Sequence, residues 1–195
     1  MRLSRSLSFR PASVLCACLL LVHPTPGYSN SEEVPVGGRL RDAELVGLNG
    51  PARHLNEFRG RPLIINVWAS WCGPCRQEMA SLERLAWRNG TQYFGIIGVS
   101  TDDYADKAMT LLRNSHATIS QFIDHELRME NMLGASRLPL TVLVAADGRI
   151  LLKIYGARDW DTAEMRALID ATFRSATRKN TSLGVAVSPS AFSGS

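Results

Sequence analysis

Residues Asn66–Glu78 read NVWASWCGPCRQE, and the fold is decided by how they are taken. With the residues before them they complete PLIINVWA (Pro62–Ala69), a near-continuous apolar run rich in β-branched side chains. That is the pattern of a strand covered on both faces. The run stops at two cysteines, Cys72 and Cys75. The next stretch, CRQEMASLERLAWRN (Cys75–Asn89), lacks glycine and proline and sets Met79, Leu82 and Ala86 at helical spacing. A strand, a thiol pair and a helix therefore come in that order. A thiol pair at this spacing can hold a metal, staple a loop or exchange electrons.

The rest of the chain narrows the choice. Its 195 residues suffice for one domain with a proper core, and its apolar and charged fractions, 45% and 21%, are those of a globular protein. The formal charge of +4 falls to +1 without Arg2, Arg5 and Arg10. No basic run is left to meet nucleic acid. Those arginines open MRLSRSLSFR, followed by the short apolar PASVLCACLLLVH and the helix-breaking, polar PTPGYSNSEE. This is the layout of a secretory signal peptide, with cleavage expected after Gly27. The apolar run is about half the ~20 residues of a membrane span. Acylation at Cys18 is a second reading of the same segment, set against it by the LLLV that continues the apolar run.

Export leaves Cys72 and Cys75 as the cysteines of the mature chain, since Cys16 and Cys18 lie in the signal. A closed zinc site needs four ligands, and His54, His116 and His125 show no ligand spacing. No metal site is expected. The pair also makes a poor staple, because the loop it closes is so short.

Along the mature chain, AELVGLNG (Ala43–Gly50) reads as a short strand and HLNEFRG as a helical turn. YFGIIGVS (Tyr93–Ser100) is a second apolar strand. In TDDYADKAMTLLRNS, Ala105, Ala108, Met109 and Leu112 share a helical face. ISQFID predicts a third strand, and HELRMENMLG a short helix closed by Gly134. LTVLVA (Leu140–Ala145) and RILLKIY (Arg149–Tyr155) flank Asp147-Gly148, a β-hairpin signal. The last helix is expected over Asp161–Ala176, with Asp161 and Glu164 as a capping box and Met165, Leu168, Ile169, Thr172 and Phe173 as its apolar stripe. The domain is thus expected at 28–176, and 177–195 as a disordered tail. Asn89-Gly-Thr and Asn180-Thr-Ser match the N-glycosylation pattern, which such tripeptides often do by chance. The order of elements predicts an α/β fold, a mixed sheet between helices with its last strand added antiparallel.

With Cys72 at the N-terminus of the helix and Cys75 one turn in, a rise of ~1.5 Å per residue brings the Cα atoms to roughly 5 Å, inside the disulfide window. Free N–H groups of the first turn and the helix dipole favour a thiolate at Cys72. Cys72 is then the attacking sulfur and Cys75 the resolving one. Gly73 permits the tight turn, Pro74 suits the first helical turn, and Trp71 is expected on the surface beside the sulfur.

NVWASWCGPC resembles the active-site strand and motif of thioredoxin-like proteins. RLPLT, whose Pro139 lies 64 residues after Cys75, resembles the loop that carries their cis-proline. A gap of that length is similar to the exported TlpA-like branch, with its ResA-type and cytochrome-c-biogenesis thiol reductases, which insert a strand and a helix there. The likeness covers roughly Leu40–Phe173. It implies a thioredoxin-like fold with that insertion between the CxxC helix and the cis-proline loop. It also implies Cys72 as nucleophile, Cys75 as resolving thiol, and Leu138-Pro139 as the backbone that meets an incoming peptide. The alternative for Pro139 is a trans proline opening a strand.

Glu78 matches an acidic residue of the ResA-type branch, where it would shuttle protons for Cys75; the alternative is a solvated helix glutamate. Asn66 departs from the buried aspartate of cytoplasmic thioredoxins, and Ala80 from a helix-kinking proline found in many relatives. The implied activity is that of a protein-disulfide reductase in the periplasm or on the outer face of the cytoplasmic membrane. No cofactor is expected beyond the two sulfurs. The implied partners are a disulfide-bearing protein, such as apocytochrome c or a copper-site protein, and a membrane thiol donor for re-reduction. Two other readings stand beside it: a disulfide oxidase or isomerase, and a copper-delivery module using the thiols as ligands.

Overall fold

A computed structural model of the chain describes residues 33–89 and 93–182. The expected signal segment 1–27, with Cys16 and Cys18, and residues 183–195 of the expected tail lie outside the described residues. In chain order the elements are β1 (Glu44–Gly47), β2 (Arg53–His54), a 3-10 turn (Leu55–Phe58), β3 (Leu63–Trp68), α1 (Gly73–Asn89) and β4 (Gly95–Ser100). Then come α2 (Ala105–Asn114), β5 (Ser120–Ile123), α3 (Arg128–Leu133), β6 (Leu140–Val144), β7 (Ile150–Tyr155) and α4 (Ala163–Ser182).

The strands form one mixed sheet in the order β2-β1-β5-β4-β3-β6-β7. The run Leu63–Trp68 is buried at every position, as its lack of polar alternation requires. It lies between parallel β4, with Asn66 opposite Gly98, and antiparallel β6, with Asn66 opposite Thr141. Its side chains alternate between the two faces. Leu63, Ile65 and Val67 enter a core with Phe122 of β5 and Met129 and Leu133 of α3. Ile64 faces α1 and α4 through Leu82, Leu85, Ile169 and Phe173, while Trp68 packs with Cys72, Cys75, Met79 and Leu112. Fully burying one such aliphatic side chain contributes about 1.5–3 kcal/mol. β3 is therefore a rigid base for the loop that leaves it. Between α1 and Pro139 the chain makes two strand-helix units, β4–α2 and β5–α3, which include the insertion expected there.

The sequence expectations differ from the structure at element ends. β2 is only two residues long and pairs with β1 across the Pro51 turn, too short to carry a periodic signal. Helix α4 runs on to Ser182, six residues past the expected end, so residues 177–182 are helical. Its start is fixed by Thr162, whose Oγ1 accepts the Met165 N–H at 3.2 Å, and not by an Asp161 capping box. Asp161 instead accepts from Arg88 and Arg166, both at 2.9 Å.

Candidate functional site

Where β3 ends, the chain turns through Ala69–Trp71 and enters α1 at Gly73. Cys72 sits at that entry and Cys75 one turn in, joined by a disulfide with Cα atoms 5.3 Å apart. The Cys75 N–H points at Cys72 Sγ, 3.2 Å away, so a free amide of the first turn faces the outer sulfur. Cys75 is wholly buried and Cys72 nearly so, while Trp71 is 70% exposed. The pair therefore lies under a surface marked by an indole.

The turn is braced from the sheet. Asp102, buried just beyond β4, accepts the Ser70 N–H at 2.8 Å, the Ser70 hydroxyl at 2.7 Å and the Ser100 hydroxyl at 2.7 Å. Trp68, the last residue of β3, donates its indole N–H to Gln121 Oε1 at 2.9 Å. Gly98 makes room for that contact, since a Cβ there would stand 1.8 Å from Gln121 Oε1.

Glu78 is not a solvated helix glutamate: it is 1% exposed. Its Oε1 accepts from Asn66 Nδ2 at 2.7 Å. Its Oε2 accepts from Trp160 Nε1 at 3.0 Å and from the Arg158 backbone N–H at 3.2 Å. Asn66 spends its other amide hydrogen on Thr141 Oγ1 at 3.0 Å, directly across the β3–β6 pair. The carboxylate thus ties α1 to β3 and to the loop after β7. Burial pushes its pKa above the usual carboxylate range, while the Trp160, Asn66 and Arg158 donors pull the other way. Position 66 is an asparagine, and the buried carboxyl group beside it is supplied by α1.

Leu138-Pro139 is a cis peptide, not a trans strand opening. Leu138 packs against the cluster that holds Cys72 and Cys75. It precedes the β3–β6 register, whose last pair is Val67 with Leu140. Pro139 is buried, and its carbonyl accepts the Gly156 N–H at 2.9 Å. Cys72, Cys75 and Leu138 thus share one cluster, Glu78 lies one turn along α1, and Trp71 stands out toward solvent. The sequence reading missed Asp102, Thr141 and Trp160. Asp102 lies just beyond β4 with no motif around it, Thr141 stands inside β6 at the end of RLPLT, where the proline draws the reading, and Trp160 is more than 80 residues from the carboxylate it serves.

Among the described residues no three His, Cys, Asp or Glu side chains gather as a metal site. A surface cavity of about 370 Å³ includes Gly95 and Ser120, the first residues of β4 and β5. It therefore lies at the N-terminal ends of the parallel strands, the opposite end of the sheet from Cys72.

The redoxin family model matches residues 35–169. The chain belongs to the redoxin family. Within that family it is similar to the thiol-disulfide oxidoreductase ResA of Bacillus cereus (strain ATCC 10987 / NRS 248), at 23% identity over 137 residues, 70% of this chain and 79% of that one. It is 34% identical over 118 residues to the thiol:disulfide interchange protein DsbE of Pseudomonas aeruginosa, covering 60% of this chain and 64% of that one. A crystal structure of a proposed DsbE from Chlorobium tepidum superposes with a TM-score of 0.66 at 25% identity, covering 71% of this chain and 98% of that one. This redoxin has the thioredoxin-like fold, a mixed sheet flanked by helices. It is a ResA-like thiol-disulfide oxidoreductase.

Proposed function

We propose that this redoxin reduces disulfides of exported proteins, with Cys72 as nucleophile and Cys75 as resolving thiol. The observation that carries the reading is the redox pair at the entry to α1, its outer sulfur facing a helix amide and its neighbour Leu138 beside a cis-proline. In the dithiol state the Cys72 thiolate attacks one sulfur of a substrate disulfide. The substrate S–S bond breaks, a mixed disulfide forms, and one substrate thiolate leaves. Cys75 loses its proton and attacks Cys72 Sγ, which releases the second substrate thiolate. Two electrons pass to the substrate, whose two thiolates take up one proton that came from Cys75 and a second from solvent, and Cys72 and Cys75 end as a disulfide.

Glu78 is the proton acceptor for Cys75 in this scheme. It lies one helical turn away, and burial raises its proton affinity from the ordinary carboxylate value toward that of a thiol, which favours proton transfer between them. Trp71 and the backbone of Leu138-Pro139 receive the extended substrate segment. The arginine-rich, then apolar, N-terminus supports export of the domain 28–176 to the periplasm or the outer membrane face. An oxidising compartment cannot restore the dithiol, so a membrane thiol donor does so. Cytochrome c maturation and copper-site assembly both need cysteines reduced outside the cytoplasm, and both supply fitting substrates.

The test is trapping. A Cys75→Ala variant lacks the resolving thiol, so its mixed disulfides with envelope proteins should persist and be recoverable without reductant. Recovery of none, under conditions where Cys72 is reduced and alkylatable, would sink the reading.

A further inference from the structure

Three arginines lie beside the redox site; none forms a close ion pair among the described residues, though the charge of Arg158 acts on buried Glu78. Arg137 directly precedes Leu138-Pro139, and its guanidinium lies over the Tyr155 ring at 5.4 Å. Arg158 folds back, its Nη1 donating to the Ala157 carbonyl at 2.8 Å. Tyr155 and Ala157 belong to one short segment at the end of β7, and Gly156 between them donates its N–H to the Pro139 carbonyl. The two guanidiniums are therefore perched on the segment that braces the cis-proline. Arg76 directly follows Cys75 and donates from Nη1 to the Ser70 carbonyl at 3.2 Å. All three residues are exposed.

The acids of this side are already engaged. Glu78 is buried on its three donors. Asp159 accepts from Arg84 at 3.2 Å, and Asp161 from Arg88 and Arg166. The exposed carboxylates Asp103 and Asp106 belong to the β4–α2 side, across β3 from β6 and β7. The face is thus basic along Leu138-Pro139, and its exposed carboxylates lie beyond β4, where Lys107 and Arg113 are exposed beside them. Each guanidinium gives its resolved contact to a neutral carbonyl or a ring, which leaves further N–H donors of the planar fork for a carboxylate.

We infer that this redoxin selects substrate disulfides flanked by acidic residues, held by Arg137 and Arg158 where the segment crosses Leu138. The inference rests on the reading that reduced Cys72 attacks a polypeptide disulfide. Steering of this kind acts on encounter and is screened by salt, with a screening length of about 10 Å at 0.1 M and 3 Å at 1 M. One exposed ion pair alters an equilibrium by a few-fold, up to about fivefold, and that sets the size of the preference expected here.

The experiment uses the pre-reduced full chain in single-turnover reaction with synthetic cyclic disulfide peptides. They carry Glu or Lys on the N-terminal side or on the C-terminal side of the disulfide. In at least one placement the Glu peptide should react about fivefold faster than its Lys counterpart at low salt. The ratio should shrink toward one in 1 M NaCl and invert in the double variant Arg137→Glu/Arg158→Glu. Reading ratios within one protein cancels any general loss of activity. Equal rates in both placements, or a preference that survives the double reversal, would overturn the inference alone. Failure of every peptide to react would instead overturn the underlying reading of Cys72.

Discussion

Glu78→Gln tests whether the buried carboxylate is held against its own desolvation. In the oxidised protein neither cysteine titrates, so the carboxylate can be followed without them. Burial outweighs the three donors, and Glu78 holds its proton more tightly in the folded chain than in the unfolded one. From its ordinary value of 4.5 up to its raised folded value, the folded state therefore binds more protons. Stability must fall as pH rises through that window, by up to about 1.4 kcal/mol per pH unit, and change no further above it. Asp124 and Glu130 are raised as well, and Asp42, Glu57 and Asp161 are lowered, but these are common to both proteins and cancel in the difference.

Glutamine nearly preserves the packing. Its oxygen can accept from Trp160 Nε1 and the Arg158 N–H. If the Asn66 amide turns over, its oxygen can accept from the new amide and from the Thr141 hydroxyl. The pH-independent cost is then about 1 kcal/mol. Urea unfolding of both oxidised proteins from pH 4 to 8 provides the assay. Variant stability minus wild-type stability should climb from about pH 4.5 and then level off. The height of that climb divided by about 1.4 kcal/mol gives the shift in pKa units. A difference that stays flat, or one that falls with pH, would refute the reasoning.

Asp102→Ala leaves the Ser70 N–H without its acceptor and should cost about 1–3 kcal/mol, with a several-fold slower single-turnover exchange as the turn before Cys72 loosens. Asp102→Asn should recover most of both, because an amide oxygen can take the Ser70 N–H and Ser100 hydroxyl while its NH2 donates to Ser70 Oγ; denaturation and rate measurements on the pair check this. Gly98→Ala should expel Gln121 from its place and strip the Trp68 indole of its acceptor, a loss of about 1–3 kcal/mol by urea unfolding.

The features legible in the sequence are local. The unbroken apolar run of β3, the Asp147-Gly148 hairpin and the spacing of Cys72 and Cys75 each carry their meaning within a few residues. Gly134 likewise closes α3, at a left-handed φ of 71°. The features that could not be read depend on partners distant in the chain. Glu78 looks like any polar residue between Cys75 and Met79, and its burial is decided by Asn66 of β3 and Trp160 of the β7–α4 loop. The acids of TDD look like helix-capping residues, yet Asp102 turns back to Ser70 across two strands. The apolar stripe on α4 places Leu168 with Met165 and Ile169, but Leu168 is at the stripe's edge and 39% exposed. Helix ends are hidden for a related reason: nothing after Ala176 forbids another turn, so composition suggests a tail where the backbone continues as helix to Ser182.

The reducing role is tested most directly by the equilibrium potential of Cys72–Cys75, titrated in graded mixtures of reduced and oxidised dithiothreitol. A reductase predicts a value near that of thioredoxin, about −270 mV. A value above about −180 mV, the range of isomerases and strong oxidants, would contradict that role and assign the same sulfurs to disulfide formation.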